Sequence, residues 1–158
     1  MSENKSTAAA PGLAIGAQYI KDLSFENQGA QALAGVKDAA PQPQIDFHIN
    51  TEDQSNGKHL VHLRIIAKLA SKDTAIYLLD LTYTGLFMIQ GLDTDTLEKV
   101  LFIECPRLLF PAARTIVLNI TQDSGFPPLY LSPAIDFAGL YAQQKNKNKA
   151  APAPKPGK

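Results

Sequence analysis

The chain has 158 residues, 45% hydrophobic and 19% charged, with no Trp, one cysteine and a formal net charge of zero. That length fits one domain with a sizeable core, and the lone Cys105 excludes an internal disulfide and a Cys-rich zinc site. The zero balance hides an asymmetry: residues 18–144 hold nine Lys and Arg against 14 Asp and Glu, whereas residues 145–158 hold five Lys and no acid. An acidic body argues against nucleic acid as a partner.

Met1 to Ala17 is small and polar, and is expected to be disordered. It lacks the apolar run of a signal peptide, and no stretch reaches the roughly 18 consecutive apolar residues of a membrane span. With one cysteine, the expectation is a cytoplasmic protein without stable membrane insertion.

Gln18 to Asn27 reads as a first strand. Tyr19, Leu23 and Phe25 take odd positions, Asp22, Ser24 and Glu26 even ones, while Ile20 and Lys21 break the alternation. Gly29 to Gln44 is a long connection carrying Leu33 and Val36. Ile45 to Thr51 alternates strictly, with Ile45, Phe47 and Ile49 as its apolar set. Asn56-Gly57 is turn chemistry. His59 to Ser71 places Val61, Leu63, Ile65, Ala67 and Leu69 on one face, and pairs through a short turn with Thr74 to Gly91. In that last strand Ala75, Tyr77, Leu79, Leu81 and Tyr83 oppose Ile76, Leu78, Asp80, Thr82 and Thr84, and Gly85 predicts a bend or bulge. Odd positions therefore face a core in all four strands, and even positions face outward.

Helical spacing follows from Asp93 to Glu104, with Asp93 or Thr94 as N-cap. Cys105-Pro106 is expected to interrupt it. A second stretch, Arg107 to Asp123, is expected to kink or restart at Pro111 and to end at Gly125. Phe126 to Pro133 is too Pro-rich for helix or central strand. Asp136 is a cap for a short helix, Phe137 to Gln144, and from Lys145 the chain is expected to be disordered. The fold class is α+β: a four-stranded antiparallel sheet, then a long broken helix and a short C-terminal helix. The ordered body is residues 18–144, flanked by 1–17 and 145–158.

No catalytic constellation emerges. There is no Gly-rich phosphate loop and no H-E-x-x-H. By strand parity His59 points inward while His48 and His62 point outward, so they do not form a ligand set, and no metal or other cofactor is expected. Cys105 reads as a buried structural thiol. Asp22 and Glu26 lie roughly 13 Å apart along a strand, beyond the separation of a glycosidase pair. Asp22, Glu26 and Asp80 around Leu78 are either a solvated strand face or an acidic patch that docks a basic partner. One sheet and one broken helix leave apolar surface on both, which points to oligomerisation.

Two stretches carry a resemblance: Tyr19 to Asn27 (YIKDLSFEN), and Gly85-Leu86-Phe87 through Cys105-Pro106-Arg107-Leu108-Leu109-Phe110-Pro111-Ala112-Ala113-Arg114 to Gly125-Phe126-Pro127-Pro128-Leu129 and Leu131-Ser132-Pro133. Over residues 18–144 the chain resembles the SecB family of bacterial protein-export chaperones. The resemblance implies a cytoplasmic homotetramer, a dimer of dimers, that uses neither ATP nor a cofactor. It also implies binding of unfolded precursor proteins in a translocation-competent state and their delivery to the SecA ATPase. The family's SecA-docking motif falls on Asp22, Glu26, Leu78 and Asp80; its client groove falls on Leu33, Val36, Phe137, Leu140 and Tyr141. Where many members have a Trp in the crossover, this chain reads Lys37-Asp38-Ala39-Ala40-Pro41, and its tail is basic where family tails are often acidic or neutral. The alternatives are a SecB-like chaperone dedicated to one client such as an antitoxin, and, in a different class, a small-ligand-binding protein.

Overall fold

A computed structural model describes residues 10–34 and 41–150; the side chains of Ala30 and Leu33 are outside that description. Four long strands form one antiparallel sheet: β1 (Gly12–Asn27), β2 (Pro43–Asp53), β3 (Lys58–Ser71) and β4 (Thr74–Gln90). Their spatial order is β1-β4-β3-β2, so β1 and β2 are the two edges and the connection between them crosses the sheet. That crossover begins with a single helical turn, α1 (Ala30–Leu33). The β2–β3 turn needs left-handed backbone at Ser55, Asn56 and Gly57, which explains the Asn-Gly pair there.

The odd-numbered residues of β3 and β4 do face the core. Val61, Leu63, Ile65, Ala67, Leu79, Leu81 and Phe87 are fully buried. Two local insertions change the parity of β1, however. Ile15 pairs with Phe87 and Gln18 with Gly85; then Ile20 pairs with Tyr83 and Asp22 with Thr82. Each step inserts one extra residue into β1, a β-bulge, and each bulge exchanges the faces of the residues before it. Tyr19, expected inward, therefore lies beside Thr84 on the outer face, and Ile20 takes the core side opposite Tyr83. A third irregularity, between Leu69 and Ala70, turns even-numbered Ile76 inward, where it packs with Ala32, Leu69 and Tyr77.

No bulge lies on β4 at Gly85, since the β3–β4 register runs through it unbroken. A Cβ there would stand 2.6 Å from Leu109 Cδ2 and 2.8 Å from Phe87 Cε2. The glycine lets a helix approach the sheet.

That helix is continuous where two breaks are expected. α2 (Thr94–Lys99) starts on Asp93, whose carboxylate accepts from the Thr96 N–H at 2.8 Å. It runs through a π-helical turn, Val100–Glu104, into α3 (Cys105–Gln122). Pro106 sits at the very start of α3, just past the wide turn in which the Cys105 N–H bonds back to the Val100 carbonyl. A π turn displaces the carbonyls a proline ring would strike, so Pro106 is absorbed without a break. Pro111 is likewise inside α3 and does not end it. Leu109, Ala113, Val117 and Thr121, one per helical turn, are all fully buried against the sheet.

Phe126 to Pro133 forms the predicted irregular strap. Leu129 and Leu131 turn in, and Tyr130 between them is 70% exposed. Two α3 side chains pin the strap: the Thr121 hydroxyl accepts from the Leu129 N–H at 2.9 Å, and Arg114 Nε donates to the Leu131 carbonyl at 2.7 Å. Asp136 caps the last helix, α4 (Phe137–Ala150), by accepting from the Gly139 N–H at 2.9 Å. α4 is six residues longer than the apolar pattern predicts; Lys145, expected in a disordered tail, is helical and pairs with Glu98 at 3.6 Å. At the other end, residues 12–17, expected to be disordered, belong to β1.

Candidate docking face and client cleft

Register places Asp22, Glu26, Leu78 and Asp80 on one face. Glu26 is opposite Leu78, Ser24 opposite Asp80, and Asp22 opposite Thr82, so the four occupy adjoining positions of β1 and β4 on the uncovered side of the sheet. Asp22 and Glu26 are exposed and Leu78 is 39% exposed, a large apolar side chain held in water with Glu26 opposite it on β1 and Lys68 opposite it on β3. The strand gives each its orientation: beyond the bulge at Lys21, pairing with even-numbered residues of β4 turns Asp22 and Glu26 outward.

Asp80 differs from the other two carboxylates. Arg64, one strand over, donates from Nε to Asp80 Oδ1 at 2.9 Å and from Nη2 to Oδ2 at 2.6 Å. This bidentate hydrogen bond holds the Asp80 carboxyl below the usual carboxylate range, and Asp80 in turn raises Arg64. Parity alone puts Arg64 on this face without naming its partner. Further along, His62 faces outward as expected but is buried. Its Nδ1 lies 2.7 Å from Thr84 Oγ1 and its Nε2 2.9 Å from Glu52 Oε1, with Lys21 Nζ 3.7 Å from the same carboxylate. His59 is on the core side.

Of the residues expected to line one groove, those that are described lie on two elements, α1 and α4. Leu33 lies on α1, at the end of the sheet where Ala32 packs with Leu69, Ile76 and Tyr77. Val36 is outside the described residues. Phe137, Leu140 and Tyr141 lie on α4, which packs against the π turn and the body of the main core. Phe137 is 1% exposed, edge-on to Phe47 at 6.5 Å and to Phe110 at 5.9 Å, and lies under a second cavity between α3 and the segment before α4. Tyr141 stacks on Phe102 at 5.5 Å with Lys145 over its ring. Leu140 does face open space. It lines a cleft of about 450 Å³ between α4 and the β2 edge, with Ile45, Phe47 and Ile49 from the strand. The strict alternation of those three marks the strand in the sequence, but not that it is an edge or that α4 lies beside it.

Cys105 is fully buried, and burial, helped by Glu104, pushes its thiol up to about 12. No cluster of three or more potential metal ligands occurs among the described residues, and no described helix is long and apolar enough to cross a membrane.

Comparison with known proteins agrees with this architecture. The family described as "Preprotein translocase subunit SecB" matches residues 6–148. The "Protein-export protein SecB" of Mesorhizobium japonicum is 41% identical over 148 residues, covering 94% of this chain and 88% of that protein. Its namesake from Parvibaculum lavamentivorans is 43% identical over 148 residues, covering 93% and 88%. Among solved structures, the Mycobacterium tuberculosis Rv1957 SecB-like chaperone, in complex with a ChAD peptide from the Rv1956 HigA1 antitoxin, superposes with a TM-score of 0.62. At 15% identity, over 78% of this chain and 88% of that one, the superposition shows the shared fold. With the family matched over nearly the whole chain and the fold shared, the chain belongs to the SecB family and is a protein-export chaperone.

Proposed function

We propose that the chain holds unfolded precursor proteins without ATP and passes them to SecA, which docks on the outer face of the sheet. The observation that carries the docking role is Leu78, 39% exposed and flanked by Glu26, Asp22 and the Arg64-anchored Asp80. An apolar centre with carboxylates along β1 and β4, and Lys68 opposite it on β3, suits a partner with basic residues beside an apolar contact, and the charges speed the encounter. Clients lie in the cleft between β2 and α4. Its floor of Ile45, Phe47 and Leu140 offers apolar burial at roughly 25 cal/mol per Å² of client surface, beside the unpaired edge of β2. Folded proteins, whose apolar side chains are already buried, gain nothing there.

A homotetramer is supported by apolar surface left uncovered in one copy. On β1, Leu13, Ile15 and Ile20 lie on the core side of the sheet yet are 37–46% exposed, and Leu108 on α3 is 45% exposed. The proposed setting is the cytoplasm, and no enzymatic step or cofactor is invoked.

The test is calorimetry with SecA, comparing wild type with Asp22→Lys/Glu26→Lys, with oligomer mass measured for both. Wild type binding and a tetrameric double variant that does not bind is the expected result. A wild type that suppresses precursor aggregation yet ignores SecA would remove the delivery step. The dedicated-client alternative draws only on the fold shared with the Rv1957 chaperone, whereas relatives above 40% identity carry the export name.

A further inference from the structure

The C-terminal half of α4 and the basic segment beyond it have no part in the reading above. α4 meets the body through Phe137, Leu140 and Tyr141, while Lys145 to Ala150 are exposed. Lys145 is held by Glu98. Lys147 instead lines the cleft at the β2 edge together with Asp46, His48 and Arg64. Those three are outer-face residues: His48 pairs with Arg64, Arg64 with Thr82, and Asp46 with Ile66, which pairs with Asp80. The last turns of α4 thus bring the chain to the rim of the outer face, three residues before Ala150.

Beyond Ala150 the sequence is Ala-Pro-Ala-Pro-Lys-Pro-Gly-Lys. Eight residues of extended Pro-rich chain reach about 25 Å, at about 3.1 Å per residue. From β2 to β1, three steps of about 4.8 Å, the sheet measures about 14 Å across. On that unpartnered face Asp22, Glu26 and Asp46 are exposed and take part in none of the ion pairs among the described residues; of its cations, Lys21 and Arg64 are committed to Glu52 and Asp80, and Lys68, opposite Leu78, is the one left outside those pairs among the described residues, one cation against three acids. Reach, point of departure and charge all match.

We propose that residues 147–158 are a tethered ligand of the chain's own outer sheet face, whose lysines pair with Asp22, Glu26 and Asp46 and compete with the incoming partner. The competition rests on the docking role proposed above; the self-association does not. A tether raises the local concentration of a weak ligand to about millimolar, enough to occupy the face part of the time without closing it. Ionic strength and a stronger partner both displace it.

The experiment uses a fluorescent peptide of residues 145–158 and the full chain with Lys147→Gln, Lys149→Gln, Lys155→Gln and Lys158→Gln. In low salt the peptide binds this neutralised chain about tenfold more tightly than wild type; adding D22N, E26Q and D46N abolishes binding, and about 0.5 M salt does the same. SecA binds the neutralised chain about tenfold more tightly than wild type. No peptide binding to the neutralised chain overturns the proposal, as does equal SecA affinity for the two chains. Wild type that cosediments with anionic phospholipid vesicles, while the peptide ignores the face, overturns it in favour of a lipid surface. If SecA binds neither chain but the peptide binds the face, the docking role falls and the self-association stands.

Discussion

Arg64 and Asp80 sit on neighbouring strands at diagonal positions, and both carboxylate oxygens of Asp80 accept from the one guanidinium, at 2.9 and 2.6 Å. Of the three carboxylates on the proposed docking surface, this one is fixed in place while Asp22 and Glu26 are exposed. An oriented acid next to freely solvated ones gives a partner a defined anchor point. Arg64→Gln is expected to weaken SecA binding while leaving Asp80 charged at neutral pH; unchanged affinity would show that the orientation of Asp80 is irrelevant.

The same pair sets an acid dependence. Asp80 is depressed in the folded state, from 3.8, chiefly by the Arg64 hydrogen bond. A group with a lowered folded pKa contributes stability that is present above the unfolded value and lost as pH falls through the folded one. The contribution of Asp80 is therefore present well above the unfolded value of 3.8 and is lost progressively as the pH falls below it toward the lowered folded value. Arg64 is 45% exposed, so the magnitude is at most about 1 kcal/mol. Urea unfolding of wild type and Asp80→Asn should differ at pH 7, and the difference should shrink progressively as the pH is lowered below about 4.

Gly85 and Leu109 form a matched pair across the sheet–helix interface. Gly85→Ala puts a methyl group into the Leu109 side chain and should cost about 1–3 kcal/mol. Leu109→Ala empties a fully buried site and should cost about 2–5 kcal/mol. Together they should cost clearly less than the sum, because each relieves the other's defect. Additive costs in denaturant unfolding would show that the contact does not limit how closely α3 approaches.

The strap from Phe126 to Pro133 is held by two α3 side chains, so its anchoring is separable from its burial. Thr121→Val leaves the Leu129 N–H without its acceptor in a buried place and should cost about 1–3 kcal/mol. Arg114→Met removes the donor to the Leu131 carbonyl. Both variants should be cut within the strap by a broad-specificity protease at concentrations that leave wild type intact.

Cys105 should resist alkylation in the native protein at pH 8, since a thiol pushed up to about 12 is almost wholly protonated there and is also out of reach. Mass spectrometry after iodoacetamide treatment should show modification only in denaturant. Rapid native labelling would mean that the π turn opens.

Much of the fold is legible in the sequence because alternation in β2, β3 and β4 is nearly perfect and the core side of those strands is apolar apart from residues near their ends such as His59. β1 is harder. Its extra residues near Gly16 and at Lys21 become countable only against a partner strand, so parity gives Tyr19 and Ile20 the wrong faces. Pro106 reads as a break because a π turn leaves no periodic trace in sequence. The end of α4 is hidden because Ala142 to Ala150 carry no apolar stripe; one ion pair, Lys145 to Glu98, accompanies its extension. Among site residues, parity alone places Asp22, Glu26, Leu78 and Asp80 together, since all four lie C-terminal to the second bulge on β1 or beyond the irregularity at Ile76 on β4. The groove cannot be assembled that way, because its lining depends on where α4 lands on β2.

The bulge at Lys21 divides β1 into two strips that answer to different demands. Residues before it present Ile15 and Ile20 to the core side and the strand edge; residues after it present Asp22 and Glu26 to solvent. Were the same sequence pleated without the bulge and the acids kept outward, Tyr19 would swing inward and Ile20 outward. Deleting Lys21 outright has the opposite effect: Ile20 opposite Tyr83 would be followed directly by Asp22 opposite Thr82, and every face would be kept. Lys21 is thus one residue of slack, and it lets the order of residues along the strand differ from the order of faces they occupy. A single edge strand can therefore be altered for assembly at one end without disturbing recognition at the other.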